Sequence, residues 1–565
     1  RTRKERKLTT QRILIVGWDG GTWRVFGPLV ERGLMPNLKS LMDRGSFGTM
    51  TSTIPPVTPP AWTTLLTGLK PEKHGIFGFM EGMVCADSRQ EFRSRSRPVS
   101  ALSLKHRSLL DILGDAGKHV MCINVPMTYP PRPVHGIMIS DFLSPSDAVD
   151  FTYPAELKDE LEDYVIDIIH ATRIQETTQQ RLGYAEDAWV KRCTQIVRIR
   201  ADNIRRLGKT HPWDFGIVVF TATDRIFHPR WPEIVTFLDK EAPTTEMERL
   251  LLEFFVELDR ALGRLVESFG DATVLLTSDH GFQQRADHAV HVDVWLEREG
   301  FLVRKRRGSG RKLRRALRSV LRAAMEKLLP PRLTARLLLK ATDRQTRMAE
   351  SIDRERSVAY FAGFDAATYG AVRLVAETTT ALDEKQRSEL LRNLIDSLKN
   401  MTDPETDEPI IKEAFLREEL FPGAVVDFLP EIVLEFREGY TGRVDPLATG
   451  LLGPSPKDNQ IGVHQLDGMF VLAGEAVKPL GEVAPLQLAD IAPTVLYLSG
   501  LPIPNVMQGS PPLQLLADEY VATHPVEHRD YAEEPHRPPG ERAAAYTQEQ
   551  ERQVKDHLRR LGYLE

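Results

Sequence analysis

Short, nearly all-apolar runs punctuate the chain, and they are the strongest structural signal in it. The first is Ile13-Leu14-Ile15-Val16-Gly17-Trp18, and similar runs follow at Val120 to Val125, Phe215 to Phe220, Ala272 to Thr277 and Met469 to Ala473. None alternates apolar with polar, so each predicts a strand covered on both faces, as in a parallel sheet. Between them, apolar residues recur at helical spacing over Leu29 to Asp43 and Met247 to Phe269, and a closing helix is predicted over Thr547 to Leu561. Strand–helix alternation on this scale predicts an α/β fold, a three-layer α/β/α sandwich around a mostly parallel sheet, with insertions. There is no internal repeat.

Composition narrows the class. The chain has 565 residues, 41% hydrophobic and 27% charged, with a net charge of −5. These values fit a globular protein and exclude disorder, collagen and coiled coil. They also argue against nucleic acid as the main partner. Three cysteines, Cys85, Cys122 and Cys193, make neither a disulfide framework nor a C-x-x-C metal site. Any metal chemistry therefore falls to histidines and carboxylates. No apolar run approaches the ~20 residues that span a bilayer, and the expectation is a soluble, cytoplasmic protein.

One stretch breaks the rhythm. Residues 304–347 hold 16 Lys and Arg against Glu326 and Asp343, with leucines at helical spacing until Pro330-Pro331. The plain reading is a solvated helical insertion; the sharper one is a basic amphipathic element touching an anionic membrane at its periphery. The resulting domain expectation is a catalytic domain in two parts, 1–300 and 356–515, split by an insertion at 301–355. A polar extension at 516–565 should pack outside and do no chemistry.

Chemistry gathers where the strands end, the ligand side of open α/β sheets. Asp19 follows the first strand, Asp224 and His228 follow the Phe215 run, Asp279-His280 follows the Thr277 run, and His464 lies in a loop before the Met469 strand. Each alone has a plain reading. Asp19-Gly20 could be a turn, Pro229 should limit the Asp224–His228 helix to about one turn, and Asp-His pairs occur by chance. Together they supply the mixed nitrogen and oxygen ligation that suits zinc, or manganese where carboxylates dominate. Thr58 lies between prolines just before a helix expected to begin at Pro60 or Ala61. It either caps that helix or offers a hydroxyl beside free backbone N–H groups, a setting that holds phosphate.

The order Asp19, Met35-Pro36-Asn37-Leu38, Thr58, Thr67-Gly68, Pro71-x-x-His74-Gly75-Ile76, Asp224-x-x-x-His228, Asp279-His280-Gly281 and Gly462-x-His464 resembles the alkaline phosphatase superfamily. Within it, the chain is similar to the type I phosphodiesterase/nucleotide pyrophosphatase branch, over about residues 12–300 and 355–500. The resemblance implies an alkaline phosphatase-like fold and two divalent ions. One would be held by Asp19, Asp279, His280 and the Thr58 oxygen, the other by Asp224, His228 and His464. It further implies attack by Thr58 on a small phosphate or phosphonate ester, with a phospho-threonine intermediate clamped between the two ions.

The sequence departs from the branch in one place. Nucleotide pyrophosphatases carry an Asn after the nucleophile to bind a phosphoryl oxygen, whereas here Ala61 stands three residues after Thr58 and no Asn follows in that helix. Asn124 and Arg225 are the substitutes the sequence offers, Arg225 being equally readable as a structural ion-pair residue. His288 and His291 read as loop or packing histidines. Cys85-Ala86-Asp87-Ser88-Arg89 lacks the proline of a sulfatase motif and lies away from the nucleophile. A phosphomutase of the same superfamily and a non-catalytic membrane-surface scaffold are the alternatives to a hydrolase. Oligomeric state is not legible.

Overall fold

The computed structural model describes residues 11–81, 97–171, 186–305, 351–364, 367–423, 429–445, 447–455, 461–531 and 544–564. Cys85 and nearly all of the basic 304–347 stretch lie outside them. A central sheet runs in the order Gly481–Glu482, Gly45–Thr51, Asp467–Ala473, Thr273–Thr277, Ile13–Trp18, Phe215–Phe220, Val120–Ile123, Gly136–Ile139 and Thr152–Tyr153. The five strands from Thr273–Thr277 to Gly136–Ile139 are parallel, as the apolar runs of the first four predict. Asp467–Ala473 is antiparallel to both its neighbours. Burial on both faces removes the alternation from such a strand, so its direction does not show in its sequence.

The first strand shows how the layers form. Leu14, Val16 and Trp18 join one apolar cluster with Phe26, Leu29, Phe227 and Phe255. Ile13 and Ile15 point the other way and join Trp62, Leu65, Val495 and Leu496. Helices thus cover both faces, Trp23–Glu31, Ala222–Leu238 and Glu246–Phe269 on one and Thr58–Thr67 and Ile491–Leu498 on the other. A smaller antiparallel sheet, in the order Ala359–Phe361, Tyr369–Leu374, Ile432–Phe436 and Ile411–Leu416, builds a third cluster with Phe77, Val290 and Leu296. No helix among the described residues is long and apolar enough to cross a membrane.

The helix expected over Leu29 to Asp43 is two helices, Trp23–Glu31 and Pro36–Asp43. Gly33 adopts φ +70° and ends the first, and Pro36 opens the second at a position where its missing N–H costs nothing. The carboxylate of Asp259, on the Glu246–Phe269 helix, accepts the amides of Asn37 at 3.1 Å and Leu38 at 2.8 Å. It performs from another helix the service an N-cap side chain gives locally, which accounts for Met35-Pro36-Asn37-Leu38 as a docking motif.

His74 has a similar role. Its Nδ1 accepts the Ile76 amide at 3.1 Å, leaving Nε2–H to donate to Thr64 Oγ1 at 3.0 Å, on the helix that begins with Thr58. Burial pushes the imidazole down to about 3. The unfolded chain therefore takes up this proton below about 6.5 while the folded chain does not, and stability is lost as pH falls. His74→Gln is expected to flatten the acid side of the stability curve by about 2 kcal/mol between pH 6.5 and 5, read as a difference in slope from urea unfolding at several pH values. Parallel curves for the two proteins would refute it.

Candidate active site

The loop Thr53 to Val57 delivers the chain to a helix that starts at Thr58, two residues earlier than expected, with Val57 in the N-cap position and no side chain capping it. The Thr58 hydroxyl is thus not spent on its own helix. It lies 3.5 Å from His280 Nε2 and is buried. Pro59 and Pro60 fix the backbone but carry no N–H, and the Ala61 amide already bonds to Val57. The expectation of several free amides around Thr58 is therefore corrected: only Thr58's own remains in the first three positions.

Asp224 and His228 lie on a helix of 17 residues, Ala222–Leu238, which contains both Pro229 and Pro232. The expectation of a single turn fails because tertiary bonding replaces what proline removes. Pro232 has no N–H for the His228 carbonyl, and the Ile461 amide takes that carbonyl at 2.8 Å. The same bond ties the helix to the segment that carries His464. His464 lies not in a loop but on the short strand Gly462–Gln465, antiparallel to Gly281–Gln284. Gly462 permits this approach, since a Cβ there would stand 2.3 Å from the Phe227 carbonyl oxygen. Asp19 and Asp279 leave adjacent parallel strands, and the Gly20 amide donates to Asp279 Oδ1 at 3.1 Å.

These elements bring the seven predicted residues into one buried cluster. His464 Nε2 lies 3.1 Å from Asp224 Oδ1 and 3.0 Å from His228 Nε2. His280 Nε2 lies 3.4 Å from Asp279 Oδ2 and 3.6 Å from Asp19 Oδ1. Among the described residues, potential ligand atoms fall in two groups, each within 4.8 Å: Asp224, His228 and His464, and Asp19, Asp224 and His280. Asp224 thus stands between the two halves of the cluster.

The protonation pattern suits a cation. Each imidazole places Nδ1 against a backbone carbonyl, of Gly462 for His228 at 2.9 Å, Gly281 for His280 at 3.2 Å and Pro56 for His464 at 3.2 Å. Donation from Nδ1–H leaves the Nε2 lone pairs facing inward, the tautomer a metal ligand needs. Burial pushes His280 down to about 4, and burial with neighbouring His280 pushes His464 down to about 3, so both are neutral. Neither oxygen of Asp19 accepts a hydrogen bond, nor does Asp279 Oδ2. Burial, reinforced by the charges of Asp279 and Asp224, holds Asp19 well above the usual carboxylate range, and burial lifts Asp279 to about 7. Burial also acts to raise Asp224, but His228, His464 and Arg225 hold it well below. Buried carboxylates without donors cost several kcal/mol each unless a cation compensates. A divalent ion fits this donor set.

Two further candidates take structural positions. Asn124 spends both Nδ2 hydrogens on the Ser140 and Ile166 carbonyls, at 3.2 and 2.9 Å, and its Oδ1 accepts from Tyr164. No amide hydrogen is left for a substrate, which corrects that expectation. Arg225 donates to Asp224 Oδ2 at 2.6 Å, to Asp167 Oδ1 at 3.3 Å and to the Tyr563 hydroxyl at 2.8 Å, so it braces Asp224 from behind. His291 bonds to the Gly450 carbonyl, and His288 is exposed at the start of the short strand His288–Val290. Tyr563 was not legible as a site residue, because nothing in a polar tail marks one tyrosine over another. The only signal was Gly562, which closes its helix in the manner of a Schellman turn.

The family model of type I phosphodiesterase / nucleotide pyrophosphatase matches residues 13–449. Among solved structures, the phosphonoacetate hydrolase of Sinorhizobium meliloti 1021, in complexes with phosphonoformate and with phosphonoacetate, is similar at 15% identity and a TM-score of 0.50, over 88% of this chain and 98% of that one. Murine ectonucleotide pyrophosphatase / phosphodiesterase 5, in an inactive form with AMP, is similar at 13% identity and a TM-score of 0.46, over 90% of this chain and 100% of that one. At such identities the likeness concerns the fold. No curated protein matches the chain.

Proposed function

Because the chain belongs to the type I phosphodiesterase / nucleotide pyrophosphatase family and is a hydrolase of that class, we propose that it cleaves phosphate esters, diesters foremost, through a phospho-threonine formed on Thr58. The observation that carries this reading is the convergence of an uncapped, buried threonine hydroxyl with three carboxylates and three inward-facing imidazoles. Asp19, Asp279, His280 and the Thr58 oxygen would hold one divalent ion, and Asp224, His228 and His464 the other, zinc first and manganese second. Bound there, the ions would supply Lewis acidity to the attacking and leaving oxygens.

The chain's own residues do the rest. Pro59 and Pro60 limit the backbone on which Thr58 is mounted, so its oxygen is pre-positioned rather than recruited. Attack at phosphorus expels the first alcohol, and water then cleaves the phospho-threonine and restores the hydroxyl. The Nδ1–H groups anchored to carbonyls fix the tautomer that turns each Nε2 lone pair inward, and burial keeps His280 and His464 neutral.

Charge favours a diester. Among the described residues, Arg225 is the cation in contact with the cluster, and it is shared by Asp224 and Asp167. With Asp19 and Asp279 deprotonated, as ion binding would require, these two with Asp224 and Asp167 against Arg225 would carry three net negative charges, which two divalent ions would convert to one positive. A monoanionic diester or phosphonate ester neutralises that charge, whereas a dianionic monoester overshoots it. Initial rates of the metal-loaded protein on bis(p-nitrophenyl) phosphate and p-nitrophenyl phosphate test this. The diester should turn over at least ~10-fold faster in kcat/KM, a difference of about 1.4 kcal/mol; a monoester preference would overturn the charge argument and point to a phosphatase.

A further inference from the structure

The segment expected to lie idle on the outside reaches the site. The helix Gln548–Leu561 buries Val554 and Leu558 in the same apolar cluster as Val16 and Trp18. It ends with Gly562 at φ +84°. The Gly562 amide bonds to Arg559 at 3.1 Å and the Tyr563 amide to Leu558 at 2.9 Å, the double bond of a Schellman turn. This turn sends Tyr563 toward Asp224. Its ring stacks on Phe79 at 4.4 Å with planes 19° apart, and stands 5.6 Å from the His228 ring and 6.0 Å from the His464 ring.

The hydroxyl completes a closed triangle. Tyr563 O–H donates to Asp224 Oδ2, Arg225 Nη1 donates to the same oxygen at 2.6 Å, and Arg225 Nη1 also donates to the Tyr563 oxygen at 2.8 Å. Asp224 therefore has its two oxygens divided. Oδ2 is held from outside the cluster, and Oδ1 is left to face His228 Nε2 at 3.3 Å and His464 Nε2 at 3.1 Å. A carboxylate fixed at one oxygen can present the other in a single direction, the service an outer hydrogen-bond partner gives a metal ligand.

We propose that Tyr563 is a positioning residue for Asp224: through its hydroxyl it orients the carboxylate shared by both halves of the site, and through its ring it walls the His228/His464 side. The inference rests on the proposed two-ion hydrolase, and deepens it by assigning a role to the closing helix. Phe79 and the Schellman turn hold the ring whether or not the hydroxyl is present, so the two contributions separate experimentally.

Tyr563→Phe removes the hydroxyl and keeps the stack. Its thermal midpoint should stay within about 2 °C of the unsubstituted protein, because a single partly buried hydrogen bond is lost and Arg225 still holds Asp224. Zinc release to a chelator should accelerate about 10-fold or more, and kcat on bis(p-nitrophenyl) phosphate should fall by a similar factor with KM little changed. Tyr563→Ala should add a loss of stability to both effects. Unchanged zinc release and kcat in Tyr563→Phe would overturn the inference while leaving the hydrolase reading intact. Failure of the unsubstituted protein to hold zinc or cleave any ester would instead overturn the hydrolase reading, and this inference with it.

Discussion

Thr58→Ala is expected to lower turnover of bis(p-nitrophenyl) phosphate by about 10⁴-fold or more, the scale seen when a covalent nucleophile is removed, and to leave the fold in place, with any loss of metal confined to the ion its oxygen would help hold. The reasoning is local. Thr58 is the first residue of its helix and its hydroxyl caps nothing, so alanine removes no bond that holds the helix. The nearest partner, His280 Nε2 at 3.5 Å, is at the edge of hydrogen-bond range. Stability should change by less than about 1 kcal/mol, since alanine is also the better helix former. Thr58→Ser keeps an oxygen and should retain measurable turnover. In the unsubstituted protein, rapid quenching should trap a p-nitrophenyl phosphoryl group on a peptide containing Thr58, and Thr58→Ala should trap none. If Thr58→Ala instead kept turnover within about 10-fold, water would be the direct nucleophile and the phospho-threonine route would have to be abandoned.

The parts of this molecule that sequence reveals are those where local pattern and tertiary outcome agree. Ile13–Trp18 and Phe215–Phe220 have the extents their apolar runs predict, because a strand buried on both faces leaves no polar position within it. Six residues of the cluster are legible because each lies next to a recognisable strand or carries a spaced motif, whereas the role of Thr58 comes from the resemblance to a known family. What stayed hidden depends on partners distant in the chain. Asp259 caps a helix it does not belong to. Pro229 and Pro232 are tolerated within one helix, and the carbonyl Pro232 frees is met by Ile461. Tyr563 reaches Asp224 across most of the chain's length. Asn124 looked like a donor looking for a ligand, and only the fold shows its hydrogens already taken by two carbonyls. In each case the composition of the segment is ordinary, and the information lies in where another segment is placed.

Asp224→Asn should have the second large effect, and it tests the geometry more sharply than the loss of any histidine. Asp224 belongs to both potential ligand groups, whereas His228 and His464 belong to one and His280 to the other. Removing its charge should therefore weaken the ion it would hold with His228 and His464 and, from its place beside Asp19 and His280, the neighbouring ion as well. Histidine substitutions at 228, 464 or 280 should each weaken mainly one. Asparagine is the informative replacement because it preserves volume and can still accept from Arg225 and Tyr563 through one oxygen. Alanine would strip a buried guanidinium of a partner at 2.6 Å, a loss of about 3–5 kcal/mol that would confuse unfolding with metal loss. The expected result is a folded protein with well under half the metal content of the unsubstituted chain and turnover reduced about 10³-fold or more. Metal dependence of stability supplies the independent reading. A ligand that binds only the folded state stabilises it by about 4 kcal/mol at a thousand times its dissociation constant. Zinc should therefore raise the melting temperature of the chelated, unsubstituted protein by several degrees and that of Asp224→Asn by far less. Equal metal content and equal zinc-induced stabilisation in the two proteins would mean that Asp224 serves the Arg225–Asp167 network alone, and the shared-carboxylate arrangement would fall.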